Sequence, residues 1–233
     1  MAIPIYFAMT AAEFASCPAI PKKAGWMACH FSPSGNGLSN LPSVLPADAM
    51  LILDDSFPPD GHDPVLVARQ LHDAAKVLGC GSILLDFQRP KNEETTAFVS
   101  KIIQNPPCPV GISPAYAQPD FPVLLPPVPL DTPIEAYLTP WASHEIWLEA
   151  ALGAARFRVD AQGCTETALS RPMDAPWQEK LLVCHYGMDI SCDHIDFTLC
   201  RTMDDLILLL EKAEAMGVSQ SVALWQELQE LAT

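Results

Sequence analysis

The run GSILLDFQRP, residues 81–90, ends an apolar stretch in three polar side chains, Asp86, Gln88 and Arg89. In an extended strand, alternate residues share a face. Leu84, Asp86 and Gln88 therefore point one way, and Ile83, Leu85 and Phe87 the other. A carboxylate such as Asp86 can act as base, nucleophile or charge stabiliser. The amide of Gln88 can only donate and accept hydrogen bonds. An acid and an amide on one face can orient a ligand, but only the acid can move a proton.

Other apolar runs end in similar groups. His30 closes 25–32, Asp54 and Asp55 close 49–56, and Tyr116 closes 109–116. His185 and Tyr186 lie in LLVCHYGMDI, and Trp225 and Glu227 in SVALWQEL, residues 221–228. Neighbours on a strand face opposite sides, so Asp54 and Asp55 cannot both enter one site, and one of them is expected to hold backbone groups. Ala223, Trp225 and Glu227 share a face by the same rule. Asp86, Asp55 and Glu227 are thus the candidate catalytic residues. Gln88, Arg89, Tyr116, Tyr186, Trp225 and His30 are the candidate ligand contacts. No histidines or cysteines stand at metal-ligand spacing, no G-x-S-x-G occurs, and neither G-x-G-x-x-G nor a Walker loop follows a strand. No metal and no cofactor is expected.

These groups need a scaffold that gathers strand ends. Apolar strands are expected at 3–8, 25–32, 49–56, 82–88, 109–116, 121–130 and 221–228. They read as near-continuous runs, as strands buried on both faces do. Helices fall between several of them. Asp63 caps one with Pro64 at its first position and Gly79 past its end. Asn92 caps the next, and Thr202 with Asp205 caps a third that Gly217 closes. Thr10 and Glu13 form the capping-box pattern of a short turn. From about 145 the character changes: EIWLEAAL, ARFRVDAQG and TETAL read as short antiparallel strands turning at Gly153 and Gly163. Glu145 and Glu149, four apart there, need not share a helix face. The expected architecture is α/β: a small, irregular (β/α)8 TIM-type barrel of residues 1–233 with some helices short or missing. An antiparallel β insertion at 145–180 precedes the last βα units. An open doubly wound sheet is the rival.

Composition narrows the partners. The 233 residues are 49% hydrophobic, enough for one large core, and carry 13 Lys+Arg against 28 Asp+Glu, a net charge of −15. That balance argues against nucleic acid and an anionic membrane surface. Charged residues make up only 18%, in no long block, which argues against disorder. The eight cysteines form no C-x-x-C and read as reduced thiols. The apolar N-terminus lacks a basic segment and is interrupted by Glu13, so neither a signal peptide nor a span is expected, and the expected location is cytoplasmic.

GSILLDFQ resembles the fourth-strand motif of family 18 glycoside hydrolases, the chitinases and their relatives, whose pattern is D-x-x-D-x-D-x-E. Gln88 then stands at the final position and Asp86 at the last Asp, while Leu84 and Gly81 replace the two earlier ones. The segment 194–228 is similar too: a strand, a capped loop, a helix ending in Gly, and a last strand whose Trp225 matches the Trp that floors the sugar site. In that family the final Glu protonates the glycosidic oxygen, the substrate's acetamido carbonyl attacks the sugar, and the Asp two residues earlier stabilises the ring formed. The resemblance therefore implies a barrel that kept the site's shape and lost its general acid at Gln88. It implies a non-catalytic or cryptic carbohydrate-binding protein with an oligosaccharide ligand. One alternative is an active glycoside hydrolase with relocated acid and base, Asp86 or Asp55 with Glu227. Another is a structural or protein-binding barrel, as a homodimer for example.

Overall fold

A computed structural model describes residues 3–35, 37–168, 177–178 and 183–232. In chain order its strands are β1 (Ile5–Met9), β2 (Ala24–Phe31), β3 (Leu38–Ser39), β4 (Met50–Asp54), β5 (Ser82–Asp86), β6 (Val110–Ile112), β7 (Val123–Leu125), β8 (Ile146–Ala150), β9 (Gly153–Asp160), β10 (Gly163–Ala168), β11 (Trp177–Gln178), β12 (Val183–Ile190), β13 (His194–Arg201) and β14 (Val218–Leu224). Eight of them, β1, β2, β4, β5, β6, β7, β8 and β14, pair in parallel in that order, and β14 returns to β1. The sheet is a closed barrel. The short β3 only folds back antiparallel on β2.

The helices are α1 (Ala11–Ser16), α2 (Pro64–Leu78), α3 (Glu93–Ile102), α4 (Ile134–Leu138), α5 (Met203–Ala215) and α6 (Trp225–Leu228). Local chemistry sets their ends. Asp63 accepts from the Val65 amide and Gly79 takes φ 66°, a left-handed turn that costs a glycine little. Asn92 caps α3 and Thr202 caps α5, each through its side chain. Only α2, α3 and α5 are longer than two turns, so the helical layer is incomplete, as the sequence pattern suggested.

Both faces of the barrel strands are buried. Inside, Tyr6, Met50, Ile52, Leu84, Leu124, Trp147 and Val222 fill the lumen. Outside, one layer packs under α2 and α3 and another under α4 and α5. Trp147 is 1% exposed, and its ring lies where a Cβ on Gly111 would stand, at 2.2 Å. The glycine of β6 thus makes room for the indole that plugs the barrel.

Two expectations need correcting. EIWLEAAL was expected among the antiparallel strands, yet β8 is the seventh barrel strand, parallel to β7 and β14. Its near-continuous apolar run is the mark of a strand covered on both sides. The last strand was expected to reach 228, but it stops at Leu224, and α6 follows. Trp225 and Leu228, three apart, pack on the same apolar layer, a helical period rather than a strand's.

The antiparallel sheet, ordered β10-β9-β13-β12-β11, occupies Gly153–Arg201, between β8 and α5. It starts later and extends further than 145–180, because β12 and β13 belong to it rather than to the barrel. Phe157 and Leu199 pack with Leu130 beside the barrel, and the buried guanidinium of Arg201 donates to the Val128 carbonyl at 2.8 Å.

Candidate active site at the barrel mouth

The C-terminal ends of the strands gather the polar groups. Ile52 and Leu84 face the lumen, so Asp54 and Asp86, two residues on, face the mouth as register partners. Trp147 faces the lumen likewise and carries Glu149 to the same level on β8. Asp86 and Glu149 both line a cleft of about 220 Å³, walled by Phe87, Gln88, Arg89, Pro114, Leu124 and Pro126. They also border the deeper hollow above Ile52 and Leu84. A mostly apolar cleft with a few convergent polar groups is the usual form of a ligand site.

Burial raises both acids, and their neighbours differ. Burial raises the Asp86 carboxyl above its ordinary value, and Asp54 and Asp55 add to the rise. Gln88 opposes it, donating from Nε2 to Asp86 Oδ1 at 2.5 Å. Glu149 is pushed up to about 7, first by burial, then by Asp86 and Glu227. No hydrogen bond holds Glu149 among the described residues. Tyr137 of α4 lies close enough to feel its charge and donates its hydroxyl to the Pro126 carbonyl at 2.9 Å.

The other candidates scatter. Asp55 is 2% exposed and faces away from the cleft, accepting from the amides of Gln88 and Arg89 at 2.9 and 3.0 Å. Arg89 returns two bonds, from Nε to the Asp55 carbonyl and from Nη2 to the Ser56 carbonyl. Together they clamp the loops after β4 and β5. Arg89 still borders the cleft, with Nε and Nη2 turned to backbone. Tyr116 is buried against Phe87, and its hydroxyl donates to Thr95 Oγ1 at 2.6 Å. It is part of the outer core. His30 pairs in register with Asp54 and packs on Phe57, but borders neither hollow. Trp225 meets Phe7 edge-on at 5.8 Å, outside both hollows. Glu227 is exposed on α6 and touches the site through its charge on Glu149. Tyr186 lies on β12, and its side chain falls outside the described residues.

Glu149 is the residue that sequence reasoning missed. Its signal was present: Trp147-Leu148-Glu149 repeats the pattern Leu84-Leu85-Asp86, an apolar strand ending in an inward acid. Assigning 145–152 to the insertion hid it. Among the described residues no group of three or more His, Cys, Asp or Glu is placed to hold a metal.

Fold and site together define a closed (β/α)8 barrel with an acid–amide pair and a second acid at its mouth. No protein-family model and no curated protein sequence matches the chain. Solved structures do match. The spore cortex-lytic enzyme SleL of Bacillus cereus aligns with 95% of this chain and 70% of its own, at 9% identity and a TM-score of 0.53. SleL of Bacillus megaterium QM B1551 aligns with 96% and 70%, at 9% identity and 0.52. The likeness is one of fold, a closed (β/α)8 barrel, which is the fold that the motif resemblance implied.

Proposed function

We propose that this protein is a carbohydrate-directed barrel whose mouth recognises an oligosaccharide, and in which hydrolysis by the substrate-assisted route is lost. One observation carries the reading: Gln88, which the motif resemblance sets at the position of the family's proton donor, donates its side-chain amide to Asp86. An amide N–H donates hydrogen bonds but is far too weak an acid to protonate a glycosidic oxygen. Loss of a positioned general acid costs about 10²–10⁴-fold in rate. The pair retained can still grip sugar hydroxyls, with Asp86 accepting and Gln88 doing both.

Calorimetry with a series of N-acetylglucosamine oligomers tests the reading. Affinity should rise with chain length, and Gln88→Ala should weaken it. Absence of heat at millimolar ligand would reduce the resemblance to a statement about fold.

A further inference from the structure

The amide at Gln88 explains what is lost, but it leaves Glu149 without a task. Glu149 and Asp86 stand on strands three places apart around the barrel, so they flank the mouth rather than sit side by side. Both border the same cleft and the same deeper hollow. Their surroundings differ in one decisive way. Asp86 receives a hydrogen bond from Gln88, which favours its ionised form. Glu149 receives none among the described residues, and its surroundings favour the neutral acid. The titratable groups facing Glu149 are Asp86 from β5, Tyr137 from α4 and Glu227 from α6. From the neighbouring β7 and β14 come Leu124 and Val222, both apolar. Arg89 and Lys91 border the outer cleft, and Arg89 Nε and Nη2 and Lys91 Nζ donate to backbone carbonyls.

We propose that Glu149 and Asp86 are the proton donor and proton acceptor of a relocated glycosidase site, an inference that rests on the oligosaccharide reading above. Glu149 gives its proton to the glycosidic oxygen as the bond from that oxygen to the anomeric carbon breaks. A water molecule bonds to the anomeric carbon, and its proton passes to Asp86. One water is consumed, two sugar hydroxyl groups result, and the proton on Asp86 returns through solvent to Glu149. Both carboxyls are raised by burial, but only Asp86 has a donor that favours its ionised form, and that difference assigns Glu149 as the acid and Asp86 as the base. Gln88 then has a positive role: its hydrogen bond opposes the upward shift of Asp86, to which a second carboxyl at its position would add. The substrate is a glycoside whose own acetamido group takes no part, since water is the nucleophile.

The test uses the intact protein with N-acetylglucosamine oligomers and with glucosamine oligomers of equal length. Products are followed by chromatography and binding by calorimetry. Both series should be cleaved where they bind. The wild-type kcat should fall as pH rises above about 7, where Glu149 loses its proton. Glu149→Gln should lower kcat by about 10²–10⁴-fold with little change in KM, and abolish that alkaline fall. Asp86→Asn should lower kcat similarly and remove any acid limb. Binding without products, cleavage that survives Glu149→Gln, or cleavage confined to the N-acetylated series although both bind would each overturn the inference and leave the binding reading standing. Failure of every oligomer to bind would overturn that reading, and the inference with it.

Discussion

Strands β5 and β8 are built to one plan and ended differently. Each sends a large apolar side chain into the lumen, Leu84 and Trp147, and each carries an acid two residues further on, Asp86 and Glu149. Asp86 is tied down by Gln88, and the loop behind it is clamped by Asp55 and Arg89. Glu149 has apolar neighbours, two acids nearby and no hydrogen bond among the described residues. The difference teaches that a carboxylate's role at a barrel mouth is set less by its strand position than by the next residues along the chain. Those that follow Asp86 supply donors. Those that follow Glu149, Ala150 and Ala151, supply none.

The largest expected effect tests the shared plan. Trp147→Ala empties the centre of the lumen and should cost about 3–5 kcal/mol, as large aromatic truncations do. Urea unfolding would measure it, with Leu84→Ala as the β5 counterpart at about 2–5 kcal/mol. A loss under about 1 kcal/mol at Trp147 would mean that β8 does not share the plan. Next in size is the clamp that only β5 has. Asp55→Ala strands the amides of Gln88 and Arg89 and should cost about 2–3 kcal/mol, since unsatisfied groups are more expensive than missing bonds. If Asp55 instead served catalysis, Asp55→Asn would lower turnover at unchanged stability.

The burial of Glu149 should also show when pH changes. Folding raises the Glu149 carboxyl to about 7, so the native state binds that proton more tightly than the unfolded chain does. The resulting stability is full below the ordinary carboxyl range and is lost as pH rises through about 7. Glu149→Gln keeps the shape and removes the titration. Relative to wild type it should therefore gain about 1–3 kcal/mol between pH 4 and pH 8, after allowance for partial exposure. Melting curves at the two pH values decide it. A constant difference between the two proteins would place the Glu149 carboxyl in water.

The sequence pattern carried the barrel because its cues are local. Caps at Asp63, Asn92 and Thr202 and the apolar runs of β1, β2, β4 and β5 are each decided within a few residues. What stayed hidden was decided at long range. β8 reads as a barrel strand only once β7 and β14 flank it, and Leu228 turns the chain into α6 only because the outer core receives it. In the site, alternation was enough to aim Asp86 and Gln88 together. It could not show that Asp55 answers to amides 33 and 34 residues away, and so leaves the cleft.

Tyr116 gives the smallest effect and the sharpest contrast with the acids. It too ends an apolar run, and by the same logic it was expected to meet a ligand. Instead its hydroxyl donates to Thr95 Oγ1 of α3, a partner 21 residues back, and its ring packs on Phe87. Phe87 is the outward neighbour of Asp86, so Tyr116 supports the wall of the cleft from behind. Tyr116→Phe removes one neutral hydrogen bond and leaves the Thr95 hydroxyl bonded to the Asn92 carbonyl. It should cost about 0.5–1.5 kcal/mol. Oligosaccharide affinity measured on the same sample should stay within about twofold, well under the 1.4 kcal/mol that a tenfold loss represents. A tenfold loss of affinity at intact stability would put the phenol in the cleft and return Tyr116 to the ligand contacts.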